Sequence, residues 1–205
     1  MKVGILDYDM GNLTSVYNAF ERINLKSNII TKYNEISKSD ILILPGVGAF
    51  KQGMKNLKKK GYIEEIKIHI GKRKKILGIC LGMQLLCKSS EEHGYHKGLS
   101  VFDVDIVRLK PKKKKTKLPH IGFNNISVNN NSKVLKNLRK NPVFYFNHMY
   151  AAKKFNDKKN LVVSYVDYDE KVICTIEKDN VYGAQFHPEK SHQNGLKFFK
   201  NFINI

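Results

Sequence analysis

Cys80 is the residue most clearly suited to act as a reactive group, because it lies between two glycines in the pattern G-x-C-x-G. The apolar residues 76–79 predict a short buried strand, and residues 83–88 have helical spacing, so Cys80 is expected at a sharp strand-to-helix corner. A helix N-terminus there offers free N–H groups and a partial positive charge, which favour a thiolate. The N–H of Leu81 is placed to stabilise an oxyanion. The alternative is a buried structural cysteine beside a glycine turn.

A thiol nucleophile needs a base, and the chain offers His187-Pro188-Glu189 near its end. Pro188 favours an extended conformation at His187, and residues two apart in an extended chain project to the same side. His187 and Glu189 are therefore expected to point at one site. His187 would take the thiol proton and return it to a leaving group, while Glu189 would fix the imidazole tautomer. The alternative for these three residues is a surface turn.

Strands that alternate with helices position these residues in the first half of the chain. Such alternation predicts a parallel sheet with helices on both faces, and ligands bind such a sheet beyond the carboxyl ends of its strands. Two glycine corners, at residues 45–48 and 78–82, are expected at those ends. The predicted elements are strands at 2–6, 28–31, 40–44 and 76–79, a helix opening at Asn12, and a helical region over 50–70.

The second half changes to short strands without intervening helices, which predicts an antiparallel or mixed sheet added to the first. The chain closes on an amphipathic helix that carries Leu196, Phe199, Phe202 and Ile203. With no repeat or linker, residues 1–205 are expected to form one domain. The predicted strands span 101–109, 121–128, 143–146, 161–168, 172–177 and 181–186.

The formal charge of +19 raises the question of nucleic-acid binding. All but four of the 37 basic residues are lysines, spread along the chain among many asparagines, which is typical of a general lysine bias. The densest run, at residues 110–117, predicts a solvated loop, and no nucleic-acid-binding module accompanies it. A nucleic-acid partner is therefore not expected.

The three cysteines show neither paired spacing nor a C-x-x-C pattern, so neither a disulfide framework nor a zinc site is expected. The thiols should be free in a reducing compartment. No apolar run reaches the length of about 18 residues that spans a membrane, and the first residues lack the apolar core of a signal peptide. These features predict a cytoplasmic protein without a metal or cofactor.

The motifs PGVGAF, GICLGMQLL and QFHPEKS, in this order, resemble the class I glutamine amidotransferases, whose triad is Cys-His-Glu. Four further motifs resemble the branch of glutaminase subunits of imidazole glycerol phosphate synthases in histidine biosynthesis. They are D-Y-x-M-G-N-L at 7–13, PGVGAF at 45–50, P-H-x-G-x-N at 119–124 and Y-F-x-H-x-Y at 145–150. The resemblance implies the α/β, flavodoxin-like amidotransferase fold. Its central, mostly parallel sheet is flanked by helices, with an antiparallel sheet added in the second half.

The resemblance also implies roles for individual residues. Cys80 would attack the side-chain amide of L-glutamine, His187 would protonate the departing ammonia, and Glu189 would complete the triad. Leu81 would supply one oxyanion N–H, and the backbone at Val47 and Gly48 would supply the second when the enzyme is activated. Gly46, Gln84 and Glu92 match positions that hold the glutamine. A solvated helix residue is the alternative for Gln84, and the neighbouring Glu91 leaves the register of Glu92 open.

The resemblance further implies a partner, since free ammonia would mostly become ammonium in neutral water and lose its nucleophilicity. The partner is a (β/α)₈-barrel cyclase, a separate chain in bacteria, which channels ammonia to its ribonucleotide acceptor. The chain would then form a heterodimer with this cyclase. Family positions at or near the interface correspond to Asn12, His120, Phe123, Asn124 and Lys190, although a simple surface role is equally open for Lys190.

Three positions depart from that family's pattern. Asp9 stands at a usual glycine, Phe123 replaces a common tryptophan and loses its indole N–H, and Met149 replaces a usual Ser or Thr and loses its hydroxyl. None of them belongs to the triad. They leave open a related glutaminase that supplies ammonia to a sugar acceptor in surface-polysaccharide synthesis.

Two other classes of function are weighed against this resemblance. An inactive scaffold for the partner would not need the intact Cys80, His187 and Glu189. A cysteine hydrolase or chaperone with a flavodoxin-like fold would share the cysteine corner but would not predict PGVGAF or HPEKS. Both alternatives are therefore disfavoured.

Overall fold

The computed structural model describes residues 1–113, 116–155 and 160–205. Its helices are α1 Leu13–Glu21, α2 Phe50–Lys59, α3 Tyr62–Gly71, α4 Leu81–Leu86 and α5 His192–Ile203, with 3-10 helices at Tyr33–Lys38 and Pro188–Lys190. Its strands are β1 Val3–Leu6, β2 Ser27–Ile30, β3 Ile41–Leu44, β4 Lys75–Ile79, β5 Cys87–Ser90, β6 His96–Lys97, β7 Phe102–Arg108, β8 His120–Ser127, β9 Val143–His148, β10 Tyr150–Phe155, β11 Val162–Asp167, β12 Lys171–Lys178 and β13 Val181–Ala184.

Within the described residues, a nine-stranded sheet has the order β2-β1-β3-β4-β13-β12-β11-β8-β9. In this order the first five strands, from β2 across to β13, pair in parallel. Each following pair, beginning with β13 and β12, is antiparallel. The predicted antiparallel half therefore continues the same sheet on the side of β13. The last strand in the chain, β13, lies beside β4 of the first half.

A second sheet of the described residues has the order β10-β7-β5-β6 and mixes parallel and antiparallel pairs. Its strands β5, β6 and β10 lie outside the predicted set. The predicted helix over 83–88 is wrong at its end, because α4 stops at Leu86 and Lys88 belongs to β5. The reason is tertiary: the carbonyls of Leu85 and Leu86 accept hydrogen bonds from the N–H groups of Leu99 and Val101, at 2.8 and 2.9 Å.

Apolar cores cover both faces of the parallel strands. In β3, Ile41 and Ile43 belong to the core under α1 and α5, whereas Leu42 and Leu44 belong to the core under α2, α3 and α4. A strand buried on both faces is expected to be apolar throughout, as β3 is. The strand thus fixes where the Pro45–Gly48 corner emerges.

The predicted helical region over 50–70 is two helices, because Gly61 adopts a left-handed φ of 71° between α2 and α3. A glycine takes this conformation without the steric cost that a side chain would impose. Of the lysine-rich run, residues 114 and 115 lie outside the described residues. No helix within the described ranges is both long and apolar enough to cross a membrane.

Candidate active site

Three adjacent parallel strands bring the predicted motifs together. The Pro45–Gly48 corner follows β3, Cys80 follows β4, and the segment with His187 follows β13, so all three leave the sheet at one edge. The backbone N–H of Cys80 donates to the carbonyl of Ala184 at the end of β13, at 2.7 Å. Strand pairing therefore joins segments that are far apart in sequence.

Cys80 lies at the corner between β4 and α4 with φ 52° and ψ −108°. This backbone conformation is rare for a residue with a side chain and stores strain, as is common at functional sites. The corner is tight, because a Cβ added to Gly82 would lie 1.7 Å from the carbonyl oxygen of Leu44. Glycine at this position lets the β3 backbone approach the start of the helix.

The side chains of His187 and Glu189 meet, with His187 Nδ1 donating to Glu189 Oε1 at 2.8 Å, and each is only 3% exposed. His187 is extended, at φ −101° and ψ 95°, as Pro188 predicts. The assumption of extended chain beyond it is wrong, because Pro188–Lys190 forms a 3-10 turn. The turn, and not strand alternation, directs Glu189 back to the imidazole.

Burial alone would lower the pKa of His187, but the negative charge of a Cys80 thiolate and the hydrogen bond with Glu189 raise it above its usual value. The site therefore favours the protonated, imidazolium form of His187. Cys87 and Cys174 differ, because burial raises the pKa of both thiols far above the usual range. Of the three cysteines, Cys80 is the one with a basic partner.

Two of the N–H groups expected to bind an oxyanion, those of Leu81 and Val47, already have hydrogen-bond partners. The N–H of Leu81 donates to the carbonyl of Gly46 at 3.3 Å, and the N–H of Val47 donates to the carbonyl of Met10 at 2.8 Å. Gly48 has φ 110°, a value that favours glycine. In this conformation neither of those two N–H groups is free for an oxyanion.

A pocket of about 200 Å³ opens beside the sulfur. Glu92 reaches it, and its Oε2 accepts a 2.6 Å hydrogen bond from the Phe50 N–H at the start of α2. Glu91 instead accepts from the N–H of Arg108, so the structure selects Glu92 for the pocket. The predicted residues that line it are Val47, Gly48, Cys80, Leu81, Gln84 and Glu92.

Gln84 is buried in α4 and is not a solvated helix residue. Its Nε2 donates to the carbonyl of Tyr150 at 2.9 Å and to Gln185 Oε1 at 3.1 Å. Met149 also lines the pocket beside Cys80, so this departure from the family pattern reaches the site itself.

Asn12 and Lys190 lie close to His187. Together with Gly46 they line a small cavity of about 10 Å³ that His187 and Glu189 also line. Asn12 Oδ1 accepts from the N–H of Ser15 at 3.2 Å and caps α1. Asn12 therefore has a structural role in addition to any role at an interface.

Phe123 is 51% exposed on β8 and packs against Tyr145 and His192, whereas His120 on the same strand is fully buried. His120 does not itself lie on the surface. Its Nε2 lies 2.9 Å from Asn124 Oδ1 and its Nδ1 lies 3.1 Å from His148 Nε2.

Gln185 was not predicted as a site residue, yet its Nε2 donates to Cys80 Sγ at 3.7 Å. The sulfur is also 3.9 Å from the carbonyl of Asn147. A polar residue at the end of an apolar strand, two positions before His187, is the sequence signal that could have identified it.

The model of the glutamine amidotransferase class-I family matches residues 4–205. The chain belongs to the class I glutamine amidotransferase family. Among similar proteins is the imidazole glycerol phosphate synthase subunit HisH of Caldanaerobacter subterraneus subsp. tengcongensis, which is 42% identical over 98% of this chain and 96% of that protein. The HisH subunit of Aquifex aeolicus is 40% identical over the same shares.

Solved structures confirm the predicted amidotransferase fold. A crystal structure of a glutamine amidotransferase has a TM-score of 0.77 at 17% identity, covering 98% of this chain and 97% of that one. The structure of PurLQS from Thermotoga maritima has a TM-score of 0.74 at 19% identity, covering 99% and 97%. The described part of this amidotransferase contains no group of three or more His, Cys, Asp or Glu residues suited to a metal ion.

Proposed function

We propose that the chain is the glutaminase subunit of an imidazole glycerol phosphate synthase and releases ammonia from glutamine through Cys80, His187 and Glu189. The observation that carries this proposal is the arrangement of the three residues. Cys80 follows β4, His187 follows the adjacent strand β13, and Glu189 binds the imidazole at 2.8 Å. The HisH relatives, similar over nearly the whole chain, support the choice of enzyme.

The reaction starts with the Cys80 thiolate attacking the side-chain amide carbon of glutamine. The C–N bond of the tetrahedral intermediate breaks as the His187 imidazolium gives its proton to the leaving nitrogen, which departs as ammonia. A thioester remains on Cys80. His187, now neutral, takes a proton from water, whose oxygen attacks the thioester and releases glutamate. Glu189 holds the ring in position throughout.

Two residues of the pocket suit the α-ammonium end of glutamine. Glu92 uses Oε2 for the N–H of Phe50, so we infer that Oε1 pairs with the ammonium group. The Gln84 nitrogen is committed to Tyr150 and Gln185, so Gln84 would contact substrate through its Oε1. Gly46 lines the neighbouring small cavity and would contact glutamine only after the segment that contains it rearranges.

The N–H groups of Leu81 and Val47, both proposed donors to the oxyanion, are occupied in this conformation, which supports control by a partner. We infer that the peptide between Gly46 and Val47 turns over on activation. The carbonyl now bonded to Leu81 would then leave that N–H free, and the N–H of Val47 would turn inward from Met10. The hole would thereby gain two donors, with Gly48 giving the backbone the freedom to turn.

We infer that the partner is a (β/α)₈-barrel cyclase that receives the ammonia. An exposed apolar pair on β8 supports docking there, because Ile121 is 55% and Phe123 51% exposed. Asn12, Asn124 and Lys190 would take part in or near this contact, and His120 would act from beneath it. We further infer that residues 1–205 act as one domain in the cytoplasm, consistent with three free thiols.

Glutamate production, measured for the chain alone and with a cyclase and its ribonucleotide acceptor, tests this proposal. We expect weak activity alone, strong stimulation by both additions, and no glutamine-dependent synthesis in Cys80→Ala. Synthesis from added ammonium should survive in that variant, since the cyclase is unchanged. Failure of a glutamine-directed electrophile to label Cys80 with partner and acceptor present would refute the glutaminase and favour an inactive scaffold.

The nature of the acceptor is tested separately, because Phe123 and Met149 depart from the usual pattern. We expect stimulation by the ribonucleotide and cyclase. If ammonia is instead transferred only with a sugar acceptor and its enzyme, the chain belongs to surface-polysaccharide synthesis. Strong activity without any partner would favour an independent cysteine hydrolase.

A further inference from the structure

Gln185 has a position that the triad chemistry leaves unexplained. It directly follows β13 and is fully buried. Its Nε2 lies 3.7 Å from Cys80 Sγ, and its Oε1 lies 3.1 Å from Gln84 Nε2. Burying an amide costs free energy unless its polar atoms have hydrogen-bond partners. Both contacts therefore stabilise the buried position of Gln185 beside the sulfur.

The carbonyl of Tyr150 determines which end of each amide faces the sulfur. A carbonyl oxygen only accepts, so the Gln84 atom at 2.9 Å must be the nitrogen. The second N–H of that nitrogen points at Gln185, which must present its oxygen. Gln185 is therefore left with its nitrogen toward Cys80.

His148 strengthens this arrangement from the other side. Its Nδ1 donates to the same Tyr150 carbonyl at 3.0 Å, so the oxygen has two donors. Burial lowers the pKa of His148 to about 3, and the ring stays neutral with its proton fixed by that carbonyl. Since both lone pairs are used, the carbonyl cannot turn away from Gln84 without breaking a buried hydrogen bond.

We propose that Gln185 is a further catalytic residue, whose side-chain N–H donates to the Cys80 sulfur and stabilises its thiolate. Gln84 and His148 act as positioning residues that keep the donor end of the amide on the sulfur. This rests on the proposed function only in taking Cys80 as the nucleophile. A hydrogen bond to a charged acceptor is stronger than one to a neutral acceptor, so the contact favours the thiolate.

Other titratable groups also face the sulfur from the surrounding elements. His187 and Glu189 follow β13, Tyr8 follows β1, His148 ends β9, and Glu92, after β5, lines the same pocket, whereas α4 contributes none. Burial and then the Cys80 charge raise the pKa of Tyr8, whose hydroxyl donates to the carbonyl of Pro45 at 2.6 Å. All five remain in a Gln185 variant, so a comparison with the wild type isolates the amide.

The pH dependence of Cys80 alkylation by iodoacetamide tests the proposal on the full chain. Fragment-ion mass spectrometry locates the alkylated cysteine, and Cys80 borders the pocket whereas Cys87 and Cys174 are 0% exposed. In Gln185→Leu we expect the midpoint to rise by about one pH unit, with about tenfold slower alkylation below both midpoints. Gln193→Leu, on the first turn of α5, is the matched control and should leave the midpoint unchanged. An unchanged midpoint in Gln185→Leu overturns the proposal.

A measurement on the wild type keeps the proposal testable where the leucine variant does not fold. The side-chain N–H₂ resonances of Gln185, assigned by their proximity to Cys80, should titrate with the alkylation midpoint. Resonances that do not move overturn the proposal. Glutamine hydrolysis is a separate readout: a chain that shows the shift but releases no glutamate retains this inference and loses the glutaminase.

Discussion

The strain at Cys80 makes a prediction about stability that is independent of turnover. At φ 52° and ψ −108° any side chain at this corner is strained, so Cys80→Ala keeps the strain and Cys80→Gly releases it. Residues in such regions cost about 1–3 kcal/mol. Cys87 is the matched control, because it is also buried but has φ −75° and ψ 174°, which any residue adopts.

The magnitude follows from comparing alanine with glycine at both positions. At Cys87 the glycine variant loses about 0.5–1 kcal/mol of backbone entropy and about 0.8 kcal/mol of buried methyl group relative to alanine. Both losses also apply at Cys80, where release of strain offsets them by about 1–3 kcal/mol. Exchanging alanine for glycine should therefore cost clearly less at Cys80 than at Cys87.

Urea denaturation of the four variants gives the comparison directly, with unfolding free energies taken from midpoints and slopes. A thermal scan should agree, at about 2–4 °C per kcal/mol for a chain of this size. All variants of Cys80 should lack glutaminase activity. Equal costs of the exchange at the two positions would refute the reasoning and mean that the corner is not strained.

Three further predictions concern the framework of the site. Gly82→Ala should destabilise the chain by about 3 kcal/mol, since the added Cβ would lie 1.7 Å from a backbone oxygen of β3; a urea midpoint like that of the wild type would contradict this. Burial lowers the pKa of His69 to about 4, so the folded state binds fewer protons than the unfolded state between that value and about 6.5, and stability should fall as the pH drops through this window. The loss, up to about 3 kcal/mol, should be smaller in His69→Gln, and identical losses would contradict the assignment. Lys75 Nζ donates to the carbonyl of Ile203 at 2.7 Å near the end of α5, so Lys75→Met should cost about 1–2 kcal/mol in unfolding free energy, whereas Lys197→Met on the same helix should change it by less than about 0.5 kcal/mol. Equal effects of the two lysine variants would contradict a stabilising role of Lys75 at the end of α5.

Local sequence predicts most of the elements near the site. Apolar runs gave the strands around 40–44 and 76–79, and Asn12 marks the start of α1, where it caps the helix. The strands β5, β6 and β10 were not predicted, because their residues show only a weak sequence pattern for strands. Residues 87 and 88 continue the helical spacing, and hydrogen bonds from residues 99–101 end the helix at Leu86.

The motifs themselves identify the reactive types: a cysteine between glycines, a histidine before Pro188, and an acid two residues later. The sequence predicted that His187 and Glu189 point to one site, but the reason was wrong. A 3-10 turn at Pro188–Lys190, and not an extended chain, brings the two side chains together. A turn of this kind depends on its surroundings, here the bond from the Ser191 hydroxyl to the carbonyl of His187 at 2.6 Å.

The sequence by itself determined the reactive residues, the glycine corners and the order of the elements, because these depend on residue type and short-range spacing. Tertiary structure alone decided that β13 pairs with β4, which brings His187 to Cys80. It also decided that Gln185 points its nitrogen at the sulfur, and that Gly46 and Met10 engage the N–H groups of Leu81 and Val47. Strand order and amide direction depend on long-range partners, which local sequence patterns do not specify.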